Sequence, residues 1–234
     1  MKRIIILSVI FTTLSSTIMA YVPPIINSSI LSQKGEFQGA FTYGSSGAEQ
    51  YLSYAFDESL SVLVNSSFTI DTMYNGSTKR KHFFFEGGFN YGKQAGSWVF
   101  TMGGMYGYGQ YYTLFSGYDE YNYNSYRFYG LMDFHKFSIQ GDIGIKKSFF
   151  ELVFTHRFAV GYAKVDNPMY PINSSTQSYF EPGITLKAGP GKIKFFTQAR
   201  LSLPLNDRNY NMNYGAISLG FIVHLGYKAD ENNY

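Results

Sequence analysis

The chain has no cysteine among its 234 residues. That excludes a disulfide framework, a thiolate metal site, a Cys nucleophile and a lipid-modified N-terminal Cys. Charge is scarce as well. Asp, Glu, Lys and Arg make up 15% of the residues, where a soluble domain carries about 25%. No apolar run approaches the roughly 20 residues of a membrane helix, so a helical membrane bundle is excluded too. What the chain has in excess is aromatic surface: 22 Tyr, 22 Phe and one Trp, alongside 24 Gly.

The first twenty residues have the order of an export signal. Lys2 and Arg3 precede an apolar stretch from Ile4 to Leu14, and small residues follow up to Ala20. Residues 1–20 therefore read as a cleaved signal peptide, too short in its apolar part to be a comfortable spanning helix. Without Lys2 and Arg3, 17 basic residues face 16 acidic ones. A near-neutral mature chain gives no support to nucleic-acid binding. Residues 21–33, with Pro23 and Pro24, are expected as an extended periplasmic leader. Order over that whole stretch would imply a partner or a lumen plug.

From Lys34 onward the apolar pattern has period two. Phe83, Phe85, Phe89 and Tyr91 alternate with His82, Glu86 and Asn90; Ile217, Leu219, Phe221, Val223 and Leu225 alternate with Ser218, Gly220 and His224. Ten strands are expected, near 34–44, 47–57, 60–71, 80–93, 97–113, 123–147, 149–165, 177–189, 192–206 and 212–228. Several are long enough to cross a bilayer while tilted. The sixth is too long as drawn, and a bulge or bend is expected near His135 and Lys136. Tight connections at 57–59, 93–96, 147–148 and 189–191 fall on one side. Longer ones at 72–79, 114–122, 166–176 and 206–211 fall on the other, where only 45–47 is short. Short periplasmic turns opposite long extracellular loops are the outer-membrane barrel pattern. In hydrocarbon an unpaired strand edge finds no water for its N–H and C=O groups, so the sheet must close, last strand against first. The expected architecture is all-β: a closed antiparallel transmembrane β-barrel over residues 34–228, with a short tail at 229–234.

Three short segments resemble a family of small outer-membrane barrels common in Bacteroidota. They are Tyr21-Val22-Pro23-Pro24 followed by Lys34-Gly35-Glu36, then Phe83-Phe84-Phe85-Glu86-Gly87-Gly88, and Ser138-Ile139-Gln140-Gly141-Asp142-Ile143-Gly144. Many members of that family have a lipidated Cys at the mature N-terminus, which this chain lacks, so the barrel alone would hold it in the membrane. The resemblance implies location and fold, and a role as an accessory part of larger envelope machines for secretion, barrel assembly or nutrient import. The partners expected are outer-membrane lipid, lipopolysaccharide and a larger outer-membrane protein complex.

Alternation sends Glu36, Glu86, Asp142, Glu151 and Glu181 to the lumen with Lys146, Arg157, Lys187, Lys194 and Arg200. Gln38, Gln140, Gln198, Asn90, Ser218 and His224 join them. Equal numbers of acids and bases suit a network that neutralises itself, because an isolated ion in a narrow lumen costs several kcal/mol. Ten strands enclose a lumen near the size that side chains fill. A narrow polar channel is the alternative.

Two patterns point towards chemistry or recognition. Asp71 and His82, at the outer ends of adjacent strands, resemble the Asp and His residues of the ten-stranded omptin proteases. A second Asp-rich pair on the opposite wall is missing, so no enzyme and no cofactor is expected. The four His are scattered, which argues against a metal site. Tyr118, Tyr121 and Tyr123 lie at the longest outer hairpin, where rigid rings with a polar tip could form a surface for a protein or glycan. Asp71-Thr72-Met73 fits an exported O-glycosylation pattern, with Thr72 as the acceptor.

Overall fold

A computed structural model describes residues 24–31, 33–72, 79–119, 124–167, 170–206 and 215–226. Ten antiparallel strands follow one another around a closed cylinder: β1 (Phe37–Gly44), β2 (Gly47–Ala55), β3 (Leu60–Thr72), β4 (Lys79–Ala95), β5 (Trp98–Asp119), β6 (Asn124–Lys146), β7 (Phe150–Asn167), β8 (Tyr170–Ala188), β9 (Ile193–Leu201) and β10 (Gly215–Leu225). The pair Leu203–Pro204 continues β9 past Ser202 and stays bonded to β8. Closure comes from β1 against β10, in register from Phe37 opposite Leu225 to Gly44 opposite Ser218. Strand β9 bridges β8 and β10. No helix among the described residues is long and apolar enough to cross a membrane, which says nothing against strands doing so.

The barrel is inside-out relative to a soluble one. Along β5, Trp98, Phe100, Met102, Tyr106 and Tyr108 are exposed, whereas Val99, Thr101, Met105 and Tyr111 are buried. Trp98 and Tyr108 are ten residues apart. At about 3.3 Å per residue and a tilt near 40°, they bound a belt roughly 25 Å tall, the height of a lipid-facing band. Phe137 and Ile139 on β6, Phe154, Phe158 and Val160 on β7, and Leu219, Phe221 and Val223 on β10 continue the belt.

The wall is uneven. Strands β1, β2 and β9 have 8, 9 and 9 residues, and β5 and β6 have 22 and 23. The connections β2–β3, β4–β5, β6–β7 and β8–β9, all short, and both ends of the barrel domain lie at one rim, here the turn end. At the other rim, the expected loops over 114–122 and 166–176 are largely strand. Leu114 pairs with Tyr129 and Asp119 with Asn124, while the β7–β8 ladder runs to Asn167 opposite Tyr170. These Tyr- and Asn-rich stretches extend the ladder because aromatic residues suit a pleated surface wherever a partner strand continues beside them. The bend expected near His135 and Lys136 is also absent. Both residues keep register with β5 and β7, His135 pointing out and Lys136 in. The irregularity lies between Val165 and Asn167 instead. At the short β1–β2 hairpin on this rim, Gly47 has φ +99, and a Cβ there would run into the Thr69 side chain and the Phe68 carbonyl, so glycine alone fits.

The lumen as candidate functional site

Strand spacing near 4.8 Å and the same tilt give a ten-stranded cylinder about 20 Å across its backbone. Side chains from opposite walls leave a gap about one extended chain wide. Residues 24–31 occupy it. All eight are buried, with Ile25, Asn27 and Ser28 fully enclosed. The segment expected as a periplasmic leader therefore runs up the inside of the barrel, over the part that is described. The physical reason is that Ile25, Ile26, Ile30 and Leu31 would face water if left outside, and each buried Ile contributes about 1.5–3 kcal/mol.

The segment has no strand partner, so side chains of the wall satisfy its backbone. Ile26 N–H donates to Gln198 Oε1 (3.0 Å), and Gln198 Nε2 donates back to the Ile26 carbonyl (2.8 Å). Gln140 Nε2 donates to the Asn27 carbonyl (2.8 Å), and Lys187 Nζ to that of Ser28 (2.9 Å). Lys146 Nζ donates to the Ile30 carbonyl (3.0 Å). Asn27 Nδ2 donates to the Leu52 carbonyl (3.2 Å), and the Ser29 and Ser53 hydroxyls lie 2.6 Å apart. Apolar contacts complete the seat. Ile25 joins Ala40, Tyr51, Phe196 and Ile222, and Ile30 joins Val99 and Val153. Nearer the other rim, Phe84, Tyr111, Phe134, Ala159 and Tyr179 form a separate, mainly aromatic cluster on the inside of β4–β8.

The ten ionisable residues expected in the lumen are all buried there. They fall into separate groups. Arg157 bridges two acids, Nη1 at 3.1 Å from Glu86 and Nε at 2.6 Å from Glu181. Lys136 adds contacts of 3.1 Å to Glu181 and 3.8 Å to Glu86. At the turn end Glu151 meets Lys194 (2.9 Å), Lys187 (3.2 Å) and His224 (3.8 Å), while Lys146 holds Glu36 at 3.0 Å. Arg200 is bound to Glu49, whose carboxylate also accepts from Ser46 (2.9 Å) and Ser218 (2.6 Å). Asp142 departs from the expected ion pairing. Thr101 (2.7 Å), Thr155 (2.5 Å) and Gln140 (3.0 Å) donate to it, and neutral donors replace a cation.

Two lumen ions escaped the sequence reading, and both shared the right alternation. Glu49 has the parity of Ser53 and Ala55 but stands beside Tyr51, an inward aromatic that looks like a lipid-facing one. Lys136 has the parity of Ser138, Gln140 and Asp142, hidden by the expected bend. With them, six acids (Glu36, Glu49, Glu86, Asp142, Glu151, Glu181) face six bases (Lys136, Lys146, Arg157, Lys187, Lys194, Arg200) among the described lumen residues.

In the β3–β4 register Asp71 lies opposite Arg80 and His82 opposite Thr69, so Asp71 and His82 are diagonal neighbours rather than a direct pair. His82 is buried, bonded to the Ser67 hydroxyl (3.3 Å) and stacked on Tyr111. No group of three or more His, Asp or Glu that could hold a metal occurs among the described residues. Tyr118 pairs with Ser125 within the β5–β6 ladder, and Thr72 with Lys79 where β3 and β4 end. Tyr121, Tyr123, the signal peptide at 1–20 and the tail at 229–234 lie outside the described residues.

No protein-family model matches the chain, and no curated protein matches it. Among solved structures it is similar to the translocator domain of the autotransporter NalP from Neisseria meningitidis, at a TM-score of 0.49 and 13% identity. The match covers 80% of this chain and 86% of that one.

Proposed function

We propose that this chain is a non-enzymatic outer-membrane barrel of the small Bacteroidota kind, exported through a cleaved signal peptide and plugged by its own N-terminal segment. Its turn end faces the periplasm and its long hairpins face outward, among outer-membrane lipid and lipopolysaccharide. Within a larger outer-membrane complex it is a structural or accessory subunit, with Tyr118, Tyr121 and Tyr123 on the partner surface and Thr72 as a glycan acceptor. The observation that carries the reading is the seat of residues 24–31. A lumen about one chain wide that already contains a buried chain, and whose described ions balance in sign, suits a closed barrel better than a path selective for one solute.

The test is electrical and biochemical. The purified barrel in planar bilayers should be silent, and mild-detergent extraction from its native membrane should bring a larger complex with it. Steady single-channel currents from the intact chain would overturn the sealed barrel in favour of the narrow channel.

A further inference from the structure

At the upper edge of the belt, the outside of β4–β7 carries two cross-strand rows of polar and aromatic residues. Phe85, Tyr108, His135 and Tyr162 lie opposite one another in the first. One step further from the turn end come Phe83, Gln110, Asp133 and Lys164. The rows are tied together. The Tyr106 hydroxyl lies 2.7 Å from His135 Nδ1, and the Tyr108 hydroxyl and Gln110 Nε2 each donate to Asp133 Oδ1 at 2.9 Å. The His135 ring lies 5.0 Å from that of Tyr108 and 6.2 Å from that of Tyr106. Exposed lysines flank the patch, Lys81 on β4 and Lys164 on β7.

Directly beneath runs an apolar trough of about 820 Å³, lined by Phe89, Tyr106, Phe137, Ile139, Phe158 and Val160 among others. It exists because Gly87 and Gly104 present no side chain on this face. A Cβ at either would meet nothing closer than the Leu63 or Ser138 carbonyl, at 3.8 and 3.9 Å. Tyr106 belongs to both regions, so the trough and the polar patch are continuous.

We infer that this face binds one anionic glycolipid of the outer leaflet, its acyl chain in the trough and its phosphorylated sugar headgroup across the rings between Lys81 and Lys164. Three strand intervals of about 4.8 Å and a two-residue offset place the two lysine backbones roughly 15 Å apart. A headgroup with one phosphate reaches only one of them, whereas a sugar unit phosphorylated at both ends reaches both. The tyrosine rings offer flat apolar faces to pyranose rings, and His135, Gln110 and the remaining lone pairs of Asp133 suit hydroxyls. Asp133 does not cancel the attraction, because two donors already hold its charge and two lysines outnumber it. This inference rests on the outer-membrane reading above.

Native mass spectrometry of the detergent-solubilised barrel tests it. The barrel is titrated with lipopolysaccharide lacking its O-polysaccharide and, separately, with phosphatidylglycerol and phosphatidylethanolamine. The glycolipid should be retained at least tenfold more tightly than either phospholipid. The double variant Lys81→Glu, Lys164→Glu should lose at least tenfold, and Lys93→Glu at the turn end should change nothing. Unboiled electrophoretic mobility confirms that each variant is folded. Equal retention by wild type and double variant, or a preference for phosphatidylglycerol, overturns the inference. Insertion into lipid vesicles is measured on the same samples: an inserted barrel without the preference refutes the glycolipid site alone, and a barrel that will not insert refutes the membrane reading with it.

Discussion

Gln198 is a point at which the plug can be loosened without removing a member of the wall's ion pairs. Its amide forms both halves of a bridge to Ile26, accepting from the N–H at 3.0 Å and donating to the carbonyl at 2.8 Å. In Gln198→Leu the side-chain volume is nearly kept, and both Ile26 backbone groups lose their partners inside the lumen. Each orphaned group costs about 1–3 kcal/mol, so the seated plug should be weakened by roughly 2–6 kcal/mol. At 1.4 kcal/mol per factor of ten, the ratio of displaced to seated plug should rise by about thirty-fold to 20,000-fold. The ion groups Glu86–Arg157–Glu181 and Glu151–Lys187–Lys194 do not involve Gln198, so the cylinder should persist. Planar-bilayer recordings then give an ordered series: silence for the wild type, rare brief openings for Gln198→Leu, and sustained currents for a chain lacking 24–31. Electrophoretic mobility without boiling shows whether each variant is folded. A folded deletion variant as silent as the wild type would refute the reasoning, because the plug would then not be what closes the lumen.

Other expectations concern the wall and the surface. Arg157→Met leaves Glu86 and Glu181 with Lys136 as their one remaining shared cation among the described residues, and should destabilise the barrel by about 3–5 kcal/mol, read as a lower temperature for loss of the folded gel band. Adding Glu86→Gln should recover part of that loss. Gly47→Val forces a branched residue to φ +99 against the Thr69 side chain, at a cost of about 1–3 kcal/mol from backbone strain alone. Urea titration of the vesicle-inserted protein measures it, and an unchanged midpoint would reject the tight β1–β2 corner. Ile139→Arg places a cation on the outside of the belt and should cost about 2–4 kcal/mol in vesicle folding, whereas Ile139→Leu should be neutral. Replacing Tyr118, Tyr121 and Tyr123 together by Ser should detach the co-purifying complex and leave the folded gel band unchanged.

How far the sequence carries differs from one segment to the next. Strands β3 to β8 were legible because Phe, Leu, Ile and Tyr alternate with Ser, Asn and Glu along a two-residue repeat, and that repeat follows from the geometry of an extended chain alone. Parity also sent Glu86, Glu151, Arg157, Glu181 and Lys187 inward without knowledge of any partner. It failed locally where an inward aromatic, Tyr51, masked Glu49, and where a supposed bend obscured Lys136. The hairpin tips were harder. Tyr- and Asn-rich stretches read equally well as loop or as strand, and only a neighbouring ladder at hydrogen-bonding distance decides which.

By itself the sequence determined that the chain must close on itself in an apolar medium, because its alternation leaves one greasy and one polar face on every strand. Only the tertiary structure decided what fills the centre. Residues 24–31 have no repeat to read, although Ile25, Ile26, Ile30 and Leu31 are a poor composition for a water-exposed leader. Their place depends on groups from β1, β2, β6, β8 and β9 converging on one extended backbone. Those groups lie up to 172 positions away along the chain, and no local pattern encodes which side chains will meet across a cylinder once it has closed.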